Sequence, residues 1–244
     1  GEEFYVAYGS HTEKNDVPYS HKGEEGDHHA HYFHLILLCE NQKGYENMCW
    51  LSSRAFCDEN ALYYGKPRID FELLKQYHEG IICCTACIQG ELPQMLLAGM
   101  DKEAEELALA YKELFGPDHY YIELQDHGIP DQKVVAEKLI ALAHKLDIPL
   151  IVSNDIHYVE REDAKAQDAL RCIGFKNQLH EKHSKMGGDE DLDSWYFKTE
   201  AEMRALFPQC PEAYDNTVKI ANMCNLTIKQ YTTPELKECL PRFE

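Results

Sequence analysis

The sequence predicts an α/β fold built on a parallel sheet, and two observations carry that prediction. Short apolar runs, typical of strands that are buried on both faces, recur along the first 160 residues. Longer segments with helical spacing of apolar residues separate them. Because parallel strands need such crossover helices, we expect a parallel sheet that closes into a barrel, with functional groups at the carboxyl ends of its strands.

The individual elements follow from the same patterns. We predict strands at 3–8, 34–39, 81–87, 120–125 and 150–152. Helices are predicted from Gly44 onward and at 71–77, 92–98, 102–115, 131–146, 161–173, 200–207 and 212–224. The dipeptide Lys66-Pro67 predicts a turn. Polar segments at 10–30 and 180–193 predict exposed loops, and 230–244 predicts an extended tail.

Composition limits the functions that the chain can have. The formal net charge of the 244 residues is −19, which argues against a broad surface that binds the phosphate backbone of nucleic acids. No apolar window is long enough for a membrane span, and no signal peptide is visible. Ten cysteines at irregular spacing do not resemble a disulfide framework, so we expect reduced thiols in a cytoplasmic protein.

Side chains that can bind metals stand at several predicted strand edges. Asp155 and His157 follow the strand at 150–152 and, in an extended segment, would point the same way. Glu3, His34 and Cys87 stand at other edges. Carboxylate, imidazole and thiolate ligands together favour zinc, manganese or iron over magnesium. The residues alone leave open a helix-capping role for Asp155 and a core role for His34 and Cys87.

Six segments make the interpretation more specific. They are GEEFYVA at 1–7, HLILL at 34–38, KPRIDFELL at 66–74, ACIQGE at 86–91, YIELQDHG at 121–128 and NDIHY at 154–158. In this order they resemble the PHP (polymerase and histidinol phosphatase) domain in the form found in the bacterial replicative DNA polymerase III alpha subunit. The resemblance continues through 196–198 and 212–225, and therefore covers nearly the whole chain.

The resemblance implies a distorted seven-stranded β/α barrel with a metal cluster in a cleft at the carboxyl ends of its strands. The metal ligands that it implies are Glu3, His34, Cys87, Asp155 and His157. Asp155 and His157 would also be catalytic, with His157 or a neighbour protonating the leaving 3′ oxygen. Glu123 and His127 would face the cleft as supporting residues.

The resemblance also implies a domain division and a function. Residues 1–178 would form the PHP domain, 179–229 its helical C-terminal part, and 230–244 the start of a connection toward the polymerase palm. The family's first motifs, H-x-H and D-H-G, precede the strand at Glu3, so we expect a fragment that is truncated at its N-terminus and lacks the palm. Isolated, it would be inactive.

The expected function is that of part of a DNA polymerase III alpha subunit, whose palm would use magnesium for DNA-templated synthesis. The PHP domain would carry 3′–5′ exonuclease proofreading and would serve as a scaffold for the polymerase core. Its partners would be other domains and subunits of the holoenzyme, with DNA bound mainly by the rest of the protein and no membrane contact. The alternatives are a stand-alone PHP phosphoesterase and a metal-free interaction module.

Three other patterns have simpler interpretations. The cluster His28, His29 and His31 lies in a polar segment and is interpreted as solvated. Cys83 and Cys84 alternate on a buried strand, so core packing is favoured over a redox motif with Cys87. The pair at 187–188 is a glycine loop without the context of a phosphate cradle.

Overall fold

A seven-stranded sheet organises the part of the chain that the computed structural model describes, residues 1–19, 31–176, 178–179 and 193–228. The strands are β1 (Glu2–Val6), β2 (Phe33–Cys39), β3 (Leu62–Tyr63), β4 (Lys66–Ile69), β5 (Ile81–Cys84), β6 (Tyr120–Leu124) and β7 (Leu150–Val152). Their order in the sheet is β3-β4-β1-β2-β5-β6-β7. The predicted α/β class is confirmed.

The sheet is mixed, so the prediction of a parallel sheet is wrong for one central strand. β2 runs antiparallel to both of its neighbours, β1 and β5, whereas β1 pairs in parallel with β4, and β5, β6 and β7 pair in parallel with one another. The polar segment at 10–30 has no helical periodicity, and a parallel crossover from β1 to β2 would need a helix there. As a result, β2 begins at the sheet edge where β1 and β5 end.

Eight α-helices and one 3-10 helix lie in the described ranges. They are α1 (Gln42–Cys57), α2 (Phe71–Tyr77), α3 (Glu91–Leu97), α4 (Asp101–Phe115), α5 (Pro130–Leu146), the 3-10 turn Arg161–Asp163, α6 (Ala164–Phe175), α7 (Glu200–Leu206) and α8 (Pro211–Met223). Side-chain caps fix several starts: Asn41 accepts the Gly44 amide, and Asp70 accepts the Leu73 amide at 2.8 Å. The helix predictions are confirmed to within a few residues.

The hairpin of β3 and β4 replaces the turn that was predicted at Lys66-Pro67. The turn lies two residues earlier, where Tyr64 and Gly65 both have positive φ, 49° and 74°. Two central residues with positive φ are typical of a tight hairpin turn. Tyrosine is not among the residue types that predict such a turn from sequence. Pro67, which normally argues against a strand, pairs with Leu62 inside β4.

Side chains pack on both faces of the sheet. The larger core lies under α1 to α5 and includes residues of α8, such as Ala213 and Tyr214. A smaller cluster on the opposite face contains Ile82, Cys84, Tyr121 and Ile151 beneath Ile220 of α8. Cys83 belongs to the larger core and Cys84 to the smaller one, which confirms that the two cysteines point to opposite faces.

Strands β3 and β7 are the two edge strands of the sheet in the described residues. At the outer edge of β7, the Asn216 side chain of α8 donates a hydrogen bond of 2.8 Å to the Leu150 carbonyl, so α8 satisfies part of the backbone there. A seven-stranded mixed sheet with these helices is consistent with the barrel-like fold that the resemblance implied.

The loop after β1 is less exposed than the sequence predicted. His11 and Val17 are buried, and the fully buried Arg68 donates hydrogen bonds to three backbone carbonyls of this region. The carbonyls are those of His11 (3.1 Å), Glu13 (2.7 Å) and His31 (3.3 Å). His28, His29 and the glycines at 187–188 lie outside the described residues.

Helix hydropathy and the state of the cysteines are known for the described ranges. No helix in the described ranges is long and apolar enough to cross a membrane. Nine cysteines fall in these ranges and all nine are free thiols. Five of them are buried, in keeping with the thiols expected from their apolar sequence context.

Candidate metal centre

The first pair of candidate ligands is formed by Glu3 of β1 and His34 of β2. In the antiparallel register Tyr5 lies opposite His34, so Glu3 reaches the imidazole diagonally along one face of the sheet. Glu3 Oε1 lies 2.8 Å from His34 Nδ1. His34 lies at the start of β2 and Glu3 near the start of β1, so neither stands at the carboxyl end of a strand, where a parallel sheet carries its functional groups. The antiparallel course of β2 brings them together.

Cys87 lies in the loop between β5 and α3, three residues beyond the last residue of β5. The predicted strand stops early because Ala86 takes a left-handed conformation, with φ of 62°. Cys87 Sγ lies 3.5 Å from His34 Nδ1. The loop is held against β2 by a hydrogen bond of 3.0 Å from the His34 amide to the Gln89 carbonyl. Cys87 thereby joins the Glu3–His34 pair.

Gly90 permits this arrangement because its backbone packs closely inside the loop. A Cβ atom at this position would lie 2.2 Å from the Thr85 carbonyl oxygen. No side chain larger than hydrogen fits there without a shift of the backbone. The glycine of the ACIQGE segment therefore has a geometric function, which is to let the Cys87 loop close.

The second pair, Asp155 and His157, follows β7. His157 Nε2 lies 3.3 Å from Asp155 Oδ1, and the His157 amide donates a hydrogen bond of 2.9 Å to the Trp195 carbonyl. Asp155 has a φ of 46°, so the segment is turned rather than extended as predicted. Asp155 and Ala86, next to Cys87, thus both have left-handed backbone, a conformation that is often found at functional sites.

Electrostatics links Cys87 to the carboxylates around it. Burial raises the pKa of the Cys87 thiol to about 12, and the negative charges of Asp155, Glu3 and Glu123 act in the same direction. A hydrogen bond from the Gln89 amide to the sulfur opposes the rise. Burial and the nearby carboxylates thus favour the protonated thiol, and a cation bound beside it would favour the thiolate.

The carboxyl group of Asp155 behaves in the opposite way. Burial would raise its pKa, but the hydrogen bond and charge of His157 together with the charges of His127 and His34 outweigh burial. The pKa of Asp155 is therefore held below its usual value. Because His34 acts on Asp155, and Asp155 acts on Cys87, the two pairs and the cysteine lie within one electrostatic cluster.

Glu123 of β6 is buried beneath the cluster and connects the ends of three strands. Its carboxylate accepts the Ala86 amide at 3.1 Å, the Gln125 side-chain amide at 3.1 Å and the Ser153 hydroxyl. Burial raises the pKa of Glu123 even though these donors lower it. With both carboxylate oxygens bonded within the protein, Glu123 positions the Cys87 loop and the end of β7.

His127 is 2% exposed and stacks on Trp195, with ring centroids 4.6 Å apart and an interplanar angle of 5°. Its Nε2 lies 2.9 Å from the Asn154 carbonyl oxygen, which can only accept, so Nε2 carries the proton. Gln132 Nε2 lies 3.0 Å from Nδ1 and can only donate, so Nδ1 accepts. Burial lowers the pKa of His127. The ring is a neutral support for the turn that carries Asp155.

A structural metal site needs several donor side chains around one point. In residues 1–19, 31–176, 178–179 and 193–228, no group of three or more His, Cys, Asp or Glu side chains is arranged to hold an ion. Instead, Glu3 bonds to His34, and Asp155 bonds to His157. Carboxylate, imidazole and thiolate donors nevertheless match the chemistry of zinc, manganese and iron.

Several supporting residues were not found from the sequence. Ser153 and Gln125 form hydrogen bonds with Glu123. The only sequence feature that could have indicated them is that each is a polar residue directly after a buried strand. Lys198 is 9% exposed, and its ammonium donates to the Asn154 side chain at 3.1 Å and to the Ser194 carbonyl. It ties the segment with Trp195 to the end of β7, and no local pattern predicts a contact across more than 40 residues.

Comparison with known proteins gives one family and several relatives. The family model of the PHP domain matches residues 1–127. The chain is 50% identical over 200 residues to the DNA polymerase III subunit alpha of Treponema pallidum, an alignment that covers 82% of this chain and 16% of that protein. It is 40% identical over 245 residues to the DNA polymerase III subunit alpha of Deinococcus radiodurans, which covers 97% of this chain and 17% of that protein.

A third relative, the DNA polymerase III subunit alpha of Borreliella burgdorferi, is 43% identical over 194 residues, or 79% of this chain and 16% of that protein. The chain thus spans about a sixth of the length of these curated relatives. The PHP match covers 127 of the 244 residues and contains Glu3, His34 and Cys87. This chain therefore belongs to the PHP domain family.

Proposed function

We propose that the chain is the PHP part of a replicative DNA polymerase III alpha subunit, where it holds divalent metal ions and hydrolyses phosphodiester bonds at 3′ ends. The proposal is supported by the contacts of Glu3 and Cys87 with His34, by the Asp155–His157 pair, and by the effect of the Asp155 charge on Cys87. The printed names of the relatives support the polymerase context.

In this proposal Glu3, His34, Cys87, Asp155 and His157 are the metal ligands, and the ions are zinc, manganese or iron. Such ions, when bound, activate water and stabilise negative charge on a phosphate group. Asp155 and His157 also have catalytic roles. The His157 side chain is 38% exposed and so is accessible to a substrate, and in this proposal His157 or a neighbouring group protonates the leaving 3′ oxygen.

The supporting residues have separate tasks. Glu123 fixes the Cys87 loop relative to β7 through its bonds to the Ala86 amide and the Ser153 hydroxyl. His127 holds the Asn154 carbonyl and so sets the turn at Asp155. Replacement of Glu123 or His127 would therefore shift the position of a metal ligand while leaving the ligand itself in the protein.

The remainder of the proposal concerns the larger protein. A net charge of −19 disfavours broad contact with DNA, so other parts of the polymerase bind the template and hold the magnesium ions for synthesis. The partners are then the other domains and subunits of the holoenzyme. Free thiols support a cytoplasmic location. The division at 178/179 and 229/230 stays a prediction.

A second candidate function is a metal-free scaffold for the polymerase core. It is favoured by the direct bonding of the candidate donors to one another, Glu3 to His34 and Asp155 to His157. A stand-alone PHP phosphoesterase is a weaker alternative, because the relatives reported above are all polymerase subunits.

Release of nucleotides from a 3′-labelled single strand tests the proposal. We expect the alpha subunit that contains this chain to release them with Mn²⁺ or Zn²⁺, and Asp155→Ala to reduce the rate at least about a hundredfold. Asp215→Ala, which removes an exposed carboxylate of α8, is the matched control and should leave the rate unchanged. The isolated 244 residues should show no synthesis and little hydrolysis.

If the alpha subunit is folded and metal-loaded but inactive, the exonuclease proposal is wrong and the scaffold function takes its place. If Asp155→Ala retains the full rate, the assignment of the site is wrong.

A further inference from the structure

Aromatic rings line the sheet face beside the proposed metal ligands. Tyr5 of β1 and Tyr32, just before β2, lie with ring centroids 4.2 Å apart. Tyr32 stacks on the His34 imidazole at 5.9 Å with an interplanar angle of 2°, and Tyr5 lies 5.4 Å from the same imidazole. Both tyrosines are partly exposed. Two tyrosine rings therefore continue directly from a candidate ligand.

The strand register explains why these rings share the face of the site. Side chains alternate along a strand, so Tyr5 lies on the same face as Glu3, two residues earlier in β1. Tyr5 is also directly opposite His34 in the β1–β2 pair. The rings cannot be separated from the site without shifting the register of β1.

A cation accompanies the rings. The Lys66 ammonium lies 5.1 Å from the centroid of the Tyr5 ring, a cation–π distance. Lys66 therefore places a positive charge next to the Tyr5 ring in a chain whose net charge is −19.

We propose that Tyr5, Tyr32 and Lys66, here called the tyrosine platform, bind the last nucleotides of a single-stranded nucleic acid. The bases stack on the tyrosine rings, and the lysine contacts a phosphate group. The inference rests on the proposed function, since it names the part of the substrate that lies beside the scissile bond.

The chemistry of the platform suits this ligand better than a duplex. Bases in a duplex are stacked on one another, whereas an unpaired 3′ end offers free base faces to aromatic side chains. Stacking on aromatic rings does not depend on positive charge, so it gives an acidic chain a way to hold nucleic acid. Every base has such a face, and the platform therefore accepts any sequence.

A second stacked pair lies nearby in sequence. The exposed Tyr64 ring stacks on the His31 imidazole with centroids 4.1 Å apart, and His31 immediately precedes Tyr32. Tyr64 lies in the β3–β4 turn that also leads to Lys66. Tyr64 is thus a further exposed aromatic ring, next to the platform in sequence.

Equilibrium binding without hydrolysis tests the platform. The probe is a 5′-fluorescein oligothymidylate, compared with the same oligonucleotide in which the last two nucleotides are abasic. Anisotropy is measured with the alpha subunit in EDTA, and a blocked primer–template hairpin in excess occupies the synthesis site. We expect the wild type to bind the intact oligonucleotide at least roughly fivefold more tightly than the abasic one.

The variants separate stacking from packing. Tyr32→Phe keeps the ring and should keep the preference for the intact oligonucleotide, whereas Tyr32→Leu keeps apolar bulk without the ring and should lose it. Tyr77→Leu removes a tyrosine that stacks on Trp50 at 6.3 Å on the helical side and is the matched control. It should bind as the wild type does.

Lysine is tested in the same way. Lys66→Ala should weaken binding of both oligonucleotides and lower the salt dependence by about one counterion. Lys75→Ala removes a lysine that lies 5.2 Å from the Phe71 ring centroid, and should change neither quantity.

The outcomes separate this inference from the proposed function. A wild type without preference for the intact end, or a Tyr32→Leu variant that retains the preference, overturns the platform even where nucleotides are released. Conversely, a preference that Tyr32→Leu abolishes supports the platform even where the metal-loaded protein releases no nucleotides, and in that case only the exonuclease proposal fails.

Discussion

Replacement of Glu91 by glutamine should stabilise the protein in a way that depends on pH. Glu91 is the first residue of α3, and its carboxyl group faces a small cavity lined by Leu35, Leu92, Leu107, Tyr111 and Tyr120. Burial raises the pKa of Glu91 from 4.5 to about 7, although a hydrogen bond from the Tyr19 hydroxyl lowers it. The carboxylate form is thus disfavoured in the folded state.

The sign of the effect follows from proton binding. Between pH 4.5 and about 7, the folded state keeps the Glu91 proton while the unfolded state has lost it. A rise in pH through this window therefore favours unfolding, and the free energy of unfolding of the wild type falls. Glutamine does not titrate, so the Glu91→Gln variant is spared this loss.

The magnitude follows from the shift. Two and a half pKa units correspond to about 3 kcal/mol. Because Glu91 keeps some contact with water, we expect the stability advantage of the variant to grow by about 2 kcal/mol from pH 5 to pH 8.

Urea denaturation across this pH range is the assay, with Glu103→Gln, an exposed carboxyl group of α4, as the control. A difference between Glu91→Gln and wild type that does not change with pH would refute the argument.

Two further predictions concern stability and are measured by urea denaturation. Gly90→Ala should lower the free energy of unfolding by about 2 kcal/mol or more, because its Cβ would overlap the Thr85 carbonyl oxygen, whereas Gly174→Ala, which meets nothing within 4 Å in α6, should raise it by up to about 1 kcal/mol. Equal effects of the two variants would contradict the close packing of the Cys87 loop. Arg68→Met should lower the free energy of unfolding by at least about 3 kcal/mol because three backbone carbonyls lose their buried donor, while Arg204→Met, at an exposed ion pair, should lower it by less than about 1 kcal/mol. A small loss for Arg68→Met would show that water takes over the hydrogen bonds of the guanidinium group.

Periodicity was sufficient to predict most of the fold. The strand at 150–152 and the helix at 71–77 have the predicted bounds, because a fully apolar run and an aspartate cap are local signals. The direction of β2 was not predictable in this way, since it depends on a connection without periodicity. The hairpin at 62–69 was missed because its turn uses a tyrosine with positive φ.

The candidate site was predictable in composition but not in geometry. His34 and Cys87 approach each other because β2 starts where β5 ends and because Gly90 lets the loop fold back, and neither cause is visible in residue types alone. Asp155 and His157 do lie together, although through a left-handed turn rather than an extended segment. Tertiary contacts such as that of His127 with Trp195 have no local signal.

Metal content measured by elemental analysis tests the central claim most directly. We predict that the purified alpha subunit carries about two or more zinc, manganese or iron ions at this site, and that His34→Ala or Asp155→Ala lowers the content. His119→Ala breaks a comparable histidine–carboxylate pair, with Glu40 at 3.3 Å, and should leave the content unchanged. Equal metal in wild type, His34→Ala and Asp155→Ala would contradict the assignment of these side chains as metal ligands.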